Sequence, residues 1–218
     1  VAEKLSSILA TSRPELIPAA VGQWLGQRYQ PRELVIVQEA GTTLYAPPAY
    51  VPSGTILVLA AALGATLGAK LNQGVLASTG TLLHKWDDDD LYAPGFLSRG
   101  AAALADADFA CWAEFLVRLP GGETRIVHGW PLGGAFFFRR TLAQAYPFAG
   151  SSANVDGQFL LAIEGHARQA RVTDSPTLYT YIRTGRNTWK TRNGEPVEAF
   201  LRGISSPWPS PVQQGGRQ

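Results

Sequence analysis

The 218-residue chain contains no methionine, position one included, and a single cysteine, Cys111. The missing methionine points to a chain trimmed at its start, or to selenomethionines left out of the sequence. One thiol cannot close an internal disulfide, and its apolar neighbours Phe109 and Trp112 mark it as a buried, inert group. A reducing compartment fits, so a cytoplasmic location is expected. Charge is scarce as well: Asp, Glu, Lys and Arg make up 17% of the chain, where about a quarter is usual. Nineteen Lys and Arg nearly balance 17 Asp and Glu, and a net charge of +2 provides no broad basic face, which excludes duplex nucleic acid as a partner. With 45% hydrophobic residues, disorder is excluded for most of the chain. Long apolar runs are lacking too. The longest, Ile56 to Ala69, is broken by Gly64, Thr66 and Gly68 and falls short of the roughly 20 residues a bilayer span needs. No integral membrane segment is expected, and Val1 to Leu9 does not read as a secretory signal. His84, His128 and His166 show no metal-ligand spacing, and no internal repeat is visible.

What is present switches repeatedly between strand and helix patterns. Lys4 to Ala10 predicts a short strand. Thr11-Ser12-Arg13-Pro14 predicts a helix start, with Thr11 or Ser12 as cap and Pro14 in the first turn. Leu16, Ile17, Ala20, Val21, Trp24 and Leu25 share one helical face, which carries that helix to about Arg28. Leu34 to Val37 is a continuous β-rich run of the kind found in a strand covered on both faces of a parallel sheet, and Ile56 to Leu59 repeats it. Ala69 to Thr79 then reads as a helix stopped by Gly80, and Thr81 to Trp86 as the next strand. This alternation predicts an α/β chain with a mostly parallel central sheet flanked by helices, whose ligands bind beyond the carboxyl ends of the strands. Phe136 to Phe138 reads as a buried strand, and Phe159, Leu160 and Ile163 mark a helix with Asp156 in its first turn. Ser205 to Gln218 is rich in proline and glycine and reads as a flexible tail. A single domain over 1–204 is expected, with halves 1–100 and 101–204.

After the predicted strand ending at Trp86 comes Asp87-Asp88-Asp89-Asp90, then Leu91-Tyr92-Ala93-Pro94. Neighbouring like charges repel by about 1 kcal/mol at ~4 Å even in water, and by more where water is excluded. A positive partner is therefore expected, and a hard divalent cation, Mg²⁺ or Mn²⁺, suits oxygen ligands shared with substrate phosphates. A plainer alternative is a solvated acidic turn at the amino end of the helix near Pro94.

Together these segments resemble family 2 glycosyltransferases of the GT-A fold, whose Asp-x-Asp motif follows a strand and precedes a proline. The similarity runs through Ile8 to Pro14 with Glu15-Leu16, Arg32 to Val37, Gly68 to Gly74, Gly80 and Leu82 to Pro94. It continues through Gly134 to Arg140, Asp156-Gly157-Gln158-Phe159-Leu160 and Tyr179 to Trp189. The resemblance implies an inverting, metal-dependent transfer from a nucleotide-diphosphate sugar, expected to be UDP-linked, to a carbohydrate acceptor. It makes Asp87 and Asp89 the Asp-x-Asp pair on the metal, with Asp87 or Asp88 also near the ribose, and leaves Asp90 without a clear role. Thr11 and Arg13 would lie beside the nucleotide base, or else be a helix cap and a solvated arginine. Glu39 would contact the nucleotide where the family has an aspartate, and Gln38 replaces another acid. Lys70 would stand beside the diphosphate, or else be a surface lysine. Asp156 would be the general base, taking the acceptor hydroxyl's proton, or else merely cap its helix, with Asn154 as the competing cap. Val155 stands where the family has a glutamate, and Thr184 where many relatives place a histidine on the metal; Arg183 and Arg186 would remain for the diphosphate. Gly129-Trp130-Pro131-Leu132-Gly133-Gly134 lets backbone approach a ligand closely, and Trp130 offers a flat face to a sugar ring or else is a core residue or turn anchor. Two other readings stay open. One is a catalytically silent sugar-nucleotide or glycan-binding module. The other is a nucleotidyltransferase, for which no glycine-rich triphosphate cradle stands near the first strand.

Overall fold

A computed structural model describes residues 2–129 and 133–183. Trp130, Thr184, Arg186 and the tail from Ser205 to Gln218 lie outside the described residues. A seven-stranded sheet organises the chain. Its members are β1 (Leu5–Thr11), β2 (Arg32–Glu39), β3 (Ile56–Ala61), β4 (Leu82–Lys85), β6 (Phe109–Trp112), β9 (Phe136–Arg139) and β10 (Gln169–Val172). They run in the order β10-β6-β9-β4-β1-β2-β3, and every pairing is parallel except those of β9 with β4 and β6. A four-stranded sheet, β5 (Leu91–Tyr92), β11 (Tyr179–Ile182), β7 (Glu114–Arg118) and β8 (Thr124–His128), lies beside it in that order.

The period-two alternation of side chains separates two cores. Leu34 and Ile36 of β2, Ala110 and Trp112 of β6 and Phe137 of β9 pack with α1 (Ile17–Leu25) and α3 (Phe96–Ala103). Phe109, Cys111, Phe136 and Phe138 point the opposite way and pack with α2 (Leu67–Ala77), α4 (Arg140–Ala145) and α5 (Val155–Ile163). The second sheet joins the first core through Phe115, Val117, Tyr179 and Tyr181. This is the mixed α/β architecture expected, a mostly parallel sheet with helices on both faces.

Three local expectations are corrected. The first helix opens as a 3₁₀ turn at Pro14–Leu16 and ends at Leu25, and neither Thr11 nor Ser12 caps it. Thr11 instead accepts a hydrogen bond from the Arg13 backbone at 2.8 Å, forming a short turn that aims Arg13 back over the sheet edge. The Ile56–Leu59 run is not a fully covered strand: β3 is the sheet's edge, and its Leu57 is exposed. Asn154, a candidate cap for α5, adopts a left-handed conformation with φ 53° and makes no capping bond, and its side chain lies against Gly157.

Candidate active site

Because β1, β2 and β4 are parallel, their carboxyl ends lie on one edge, and the first turns of α2 and α5 add to it. Thr11 ends β1 and donates its hydroxyl to Asp88. Arg13, two residues on, pairs with Asp88 and reaches Asp89 Oδ2 at 2.8 Å. Burial works against the Arg13 charge, but the hydrogen bonds and Coulomb attraction of Asp89 and Asp88 outweigh it and raise its pKa. Arg13 is therefore not a solvated arginine. Lys70, in the first turn of α2, is not a surface lysine either: it is 3% exposed and reaches Ser12, the Thr11 carbonyl at 3.4 Å and Glu39 Oε2 at 3.1 Å. Hydrogen bonds from Ser12, the Gly64 backbone and Lys70 hold the Glu39 carboxyl down at about 2, well below its ordinary range.

Gln38, where the resemblance to family 2 would place an acid, makes contacts that need an amide. Its amide donates to Thr42 Oγ1 and to the Thr43 carbonyl, both at 2.7 Å, while its oxygen accepts from the Tyr45 backbone at 3.0 Å. A carboxylate could not donate to that carbonyl.

The four consecutive acids have four different surroundings. Asp87 accepts from Lys85 Nζ at 2.6 and 2.9 Å, and burial with the nearby Asp156 and Asp89 charges pushes its pKa up despite that lysine. Asp88 sits under Thr11 and Arg13; burial raises its pKa against their pull. Asp89 faces Arg13. Asp90 is 1% exposed and accepts from the Tyr179 hydroxyl at 2.6 Å and the Ile182 backbone at 3.0 Å. Burial, aided by the Asp87 and Asp89 charges, pushes its pKa well up. It ties the acidic run to the second sheet. The turn is held from the other side by Gln23 of α1 and Gln27 just beyond its end: Gln23 bonds the Asp90 carbonyl and the Tyr92 backbone, and Gln27 the carbonyls of Tyr92 and Ala93.

Asp156 stands in the first turn of α5, 3.6 Å from Lys85 Nζ through Oδ1. That oxygen is out of contact with water and has no hydrogen-bond partner among the described residues, while the whole side chain is 34% exposed. The sequence reading missed Lys85, which is 3% exposed between Asp87 and Asp156; a lysine directly before a tryptophan and four acids was the available signal. Gly133 and Gly134, expected to let backbone approach a ligand, lie directly against the site's own side chains. A Cβ on Gly133 would stand 2.1 Å from Asp156 Oδ2 and 2.5 Å from Lys85 Nζ, and one on Gly134 would stand 2.7 Å from Asp90 Oδ2.

The edge thus gathers Thr11, Arg13, Glu39, Lys70, the acidic run and Asp156. The carboxylates of Glu39, Asp87, Asp88, Asp89 and Asp156 stand with the cations Arg13, Lys70 and Lys85, an acid-rich edge that a divalent cation suits. Among the described residues no three His, Cys, Asp or Glu side chains converge on one point, so the chain would lend such an ion one or two oxygens. Mg²⁺ or Mn²⁺ completed by phosphates and water accepts a donor set of that kind. Among the described residues, no helix is long and apolar enough to cross a membrane.

No protein-family model matches the sequence, and no curated protein does. Solved structures do match in shape. Residues 1–349 of S. aureus TarS align with 82% of this chain at a TM-score of 0.62 and 16% identity; the complex of the same protein with UDP-GlcNAc aligns with 87% at 0.59 and 15%. The mannosyltransferase PcManGT from Pyrobaculum calidifontis, in complex with GDP-Man and Mn²⁺, aligns with 84% at 0.59 and 16%. The chain spans 60%, 61% and 57% of those three structures. These neighbours are glycosyltransferases of the GT-A type, and the mixed α/β domain described here has the GT-A fold.

Proposed function

We propose that the chain is an inverting glycosyltransferase of family 2 type that moves a sugar from a nucleotide-diphosphate donor, UDP-linked, to a carbohydrate hydroxyl. The observation that carries this reading is the meeting, at one sheet edge, of the acidic run with Arg13, Lys70 and Asp156. UDP-GlcNAc and GDP-Man with Mn²⁺ bound to proteins of the same fold support the donor class.

Each residue has a task in this reading. Thr11 and Glu39 receive the nucleoside, Glu39 being already ionised by its hydrogen bonds. Arg13 and Lys70 stand where a diphosphate would otherwise meet only carboxylates, and as fixed cations they favour the charge that grows on it as the sugar leaves. Asp87 and Asp89 would hold a divalent cation, with Asp88 beside the ribose; when bound, the cation supplies further stabilisation of the leaving diphosphate. Asp156 takes the acceptor hydroxyl's proton as its oxygen forms the new bond to the anomeric carbon, and the bond to the diphosphate breaks with its electron pair leaving on the nucleotide. Attack from the side opposite the nucleotide inverts the anomeric centre.

Incubation with Mn²⁺, a panel of sugar nucleotides and a broad set of glycan acceptors tests the reading. Nucleotide release is expected, along with its loss on chelation with EDTA and a fall of about 10²- to 10⁴-fold in Asp156→Asn. A silent binding module is favoured by one observation, the engagement of Asp87, Asp88 and Asp89 in ion pairs with Lys85 and Arg13. In that case Mn²⁺-dependent binding of UDP would occur without turnover.

A further inference from the structure

Lys85 is an unusual residue for the end of a buried strand. Taking an ammonium and two carboxylates out of water costs several kcal/mol per ion, and an apolar side chain of similar volume often serves stability as well. Lys85 Nζ nevertheless grips both oxygens of Asp87 and stands 3.6 Å from Asp156 Oδ1. These two acids come from different elements, one following β4 and the other on α5, and without the lysine between them their like charges would drive them apart or protonate one of them. Lys85 is thus a fixed tie between the acidic run and the helix that carries the proposed base.

The geometry also distinguishes the two oxygens of Asp156. Oδ1 is turned inward, shut off from water with the Lys85 ammonium as its neighbour and no hydrogen-bond donor among the described residues. Oδ2 lies under Gly133, where a Cβ would stand 2.1 Å away. We propose that Lys85 is a positioning residue which holds Asp156 by Oδ1 so that Oδ2 alone accepts the acceptor's proton, and that the missing side chain at Gly133 is what leaves that oxygen accessible. This rests on the glycosyltransferase reading and adds to it which oxygen reacts and what aims it.

The test compares wild type with Lys85→Met and Gly133→Ala in the nucleotide-release assay, with donor and Mn²⁺ saturating, together with crystal structures of all three. In Lys85→Met, kcat is expected to fall about 10²-fold through misplacement of the base, while KM for the donor changes far less. In its crystal structure Asp156 should swing away from Asp87 toward solvent. Gly133→Ala, which retains the lysine but whose Cβ would crowd both Asp156 Oδ2 and Lys85 Nζ, should lower kcat with Asp156 displaced or Oδ2 covered; it carries the test if Lys85→Met fails to fold. Turnover by wild type with both variants within about threefold of its kcat, or an unmoved Asp156 in Lys85→Met, overturns the positioning role while leaving the enzyme reading intact. Absence of turnover in wild type with every donor overturns the enzyme reading itself.

Discussion

The acids after Trp86 have the same side chain and different environments, and substitutions should separate them. Burial keeps Asp90 in its uncharged form well above the usual range, so an amide is a close replacement. Asp90→Asn can still accept from the Ile182 backbone, and the Tyr179 hydroxyl can turn to meet the new amide; its stability in urea should stay within about 1 kcal/mol of wild type. Asp90→Ala leaves those two donors unmet and should cost about 1–3 kcal/mol. Arg13→Met should also destabilise, by a similar ~1–3 kcal/mol, because Asp88 stays buried with its cation gone, and adding Asp88→Asn should return part of the loss. At this scale the sequence was partly legible. A run of acids at a strand end pointed to the site and to a need for positive charge. It could not reveal that Arg13 and Lys85 supply some of that charge, because the pairing depends on a turn after β1 and on a helix far along the chain.

The same residue type can be costly or beneficial depending on what its helix packs against. Gly22 in α1 has no atom within 4 Å of where a Cβ would sit, so Gly22→Ala should stabilise the protein by about 0.5–1 kcal/mol through helix propensity. Gly100 in α3 faces the Phe137 ring, with Cζ 2.2 Å from a Cβ, and Phe137 is fully buried. Gly100→Ala gains the same propensity yet should be destabilising by about 1–3 kcal/mol from overpacking. Thermal or urea unfolding of the two variants checks the opposite signs. Strands β2 and β9 of the large sheet were readable from the sequence because Leu34 to Val37 and Phe136 to Phe138 are apolar toward both faces, whereas β6 and β10 were not read as strands. The second sheet was not readable: β5 is two residues long, and β8 exposes Ile126 at its edge, so neither carries the pattern that marks a strand.

Across the whole molecule, His84 and Glu33 are buried groups whose contributions to stability are lost in acid. Burial pushes His84 down to about 3, with the nearby Lys85 charge adding to it and the Gly134 carbonyl opposing in part. Since the folded value lies below the ordinary 6.5, the contribution of neutral His84 is complete above that pH and is lost as pH falls toward 3. Glu33 is held at about 2: burial works the other way, but Lys4, Ser6 and two hydrogen bonds from Thr79 outweigh it. Its contribution is complete above the ordinary 4.5 and is lost toward 2. Acid should therefore weaken the fold in two stages, and His84→Gln should flatten the first; Tm measured from pH 7.5 to 5 in wild type and variant checks this.

The antiparallel run of β9 has a consequence for how such a protein can diversify. A strand laid against the grain begins where its neighbours finish, so Gly133 and Gly134, which lead into β9, stand at the same edge as Asp90 and Asp156. Exchanging those two glycines for larger residues would reshape the space over the acids while the hydrogen-bonded ladder behind them remained as it is.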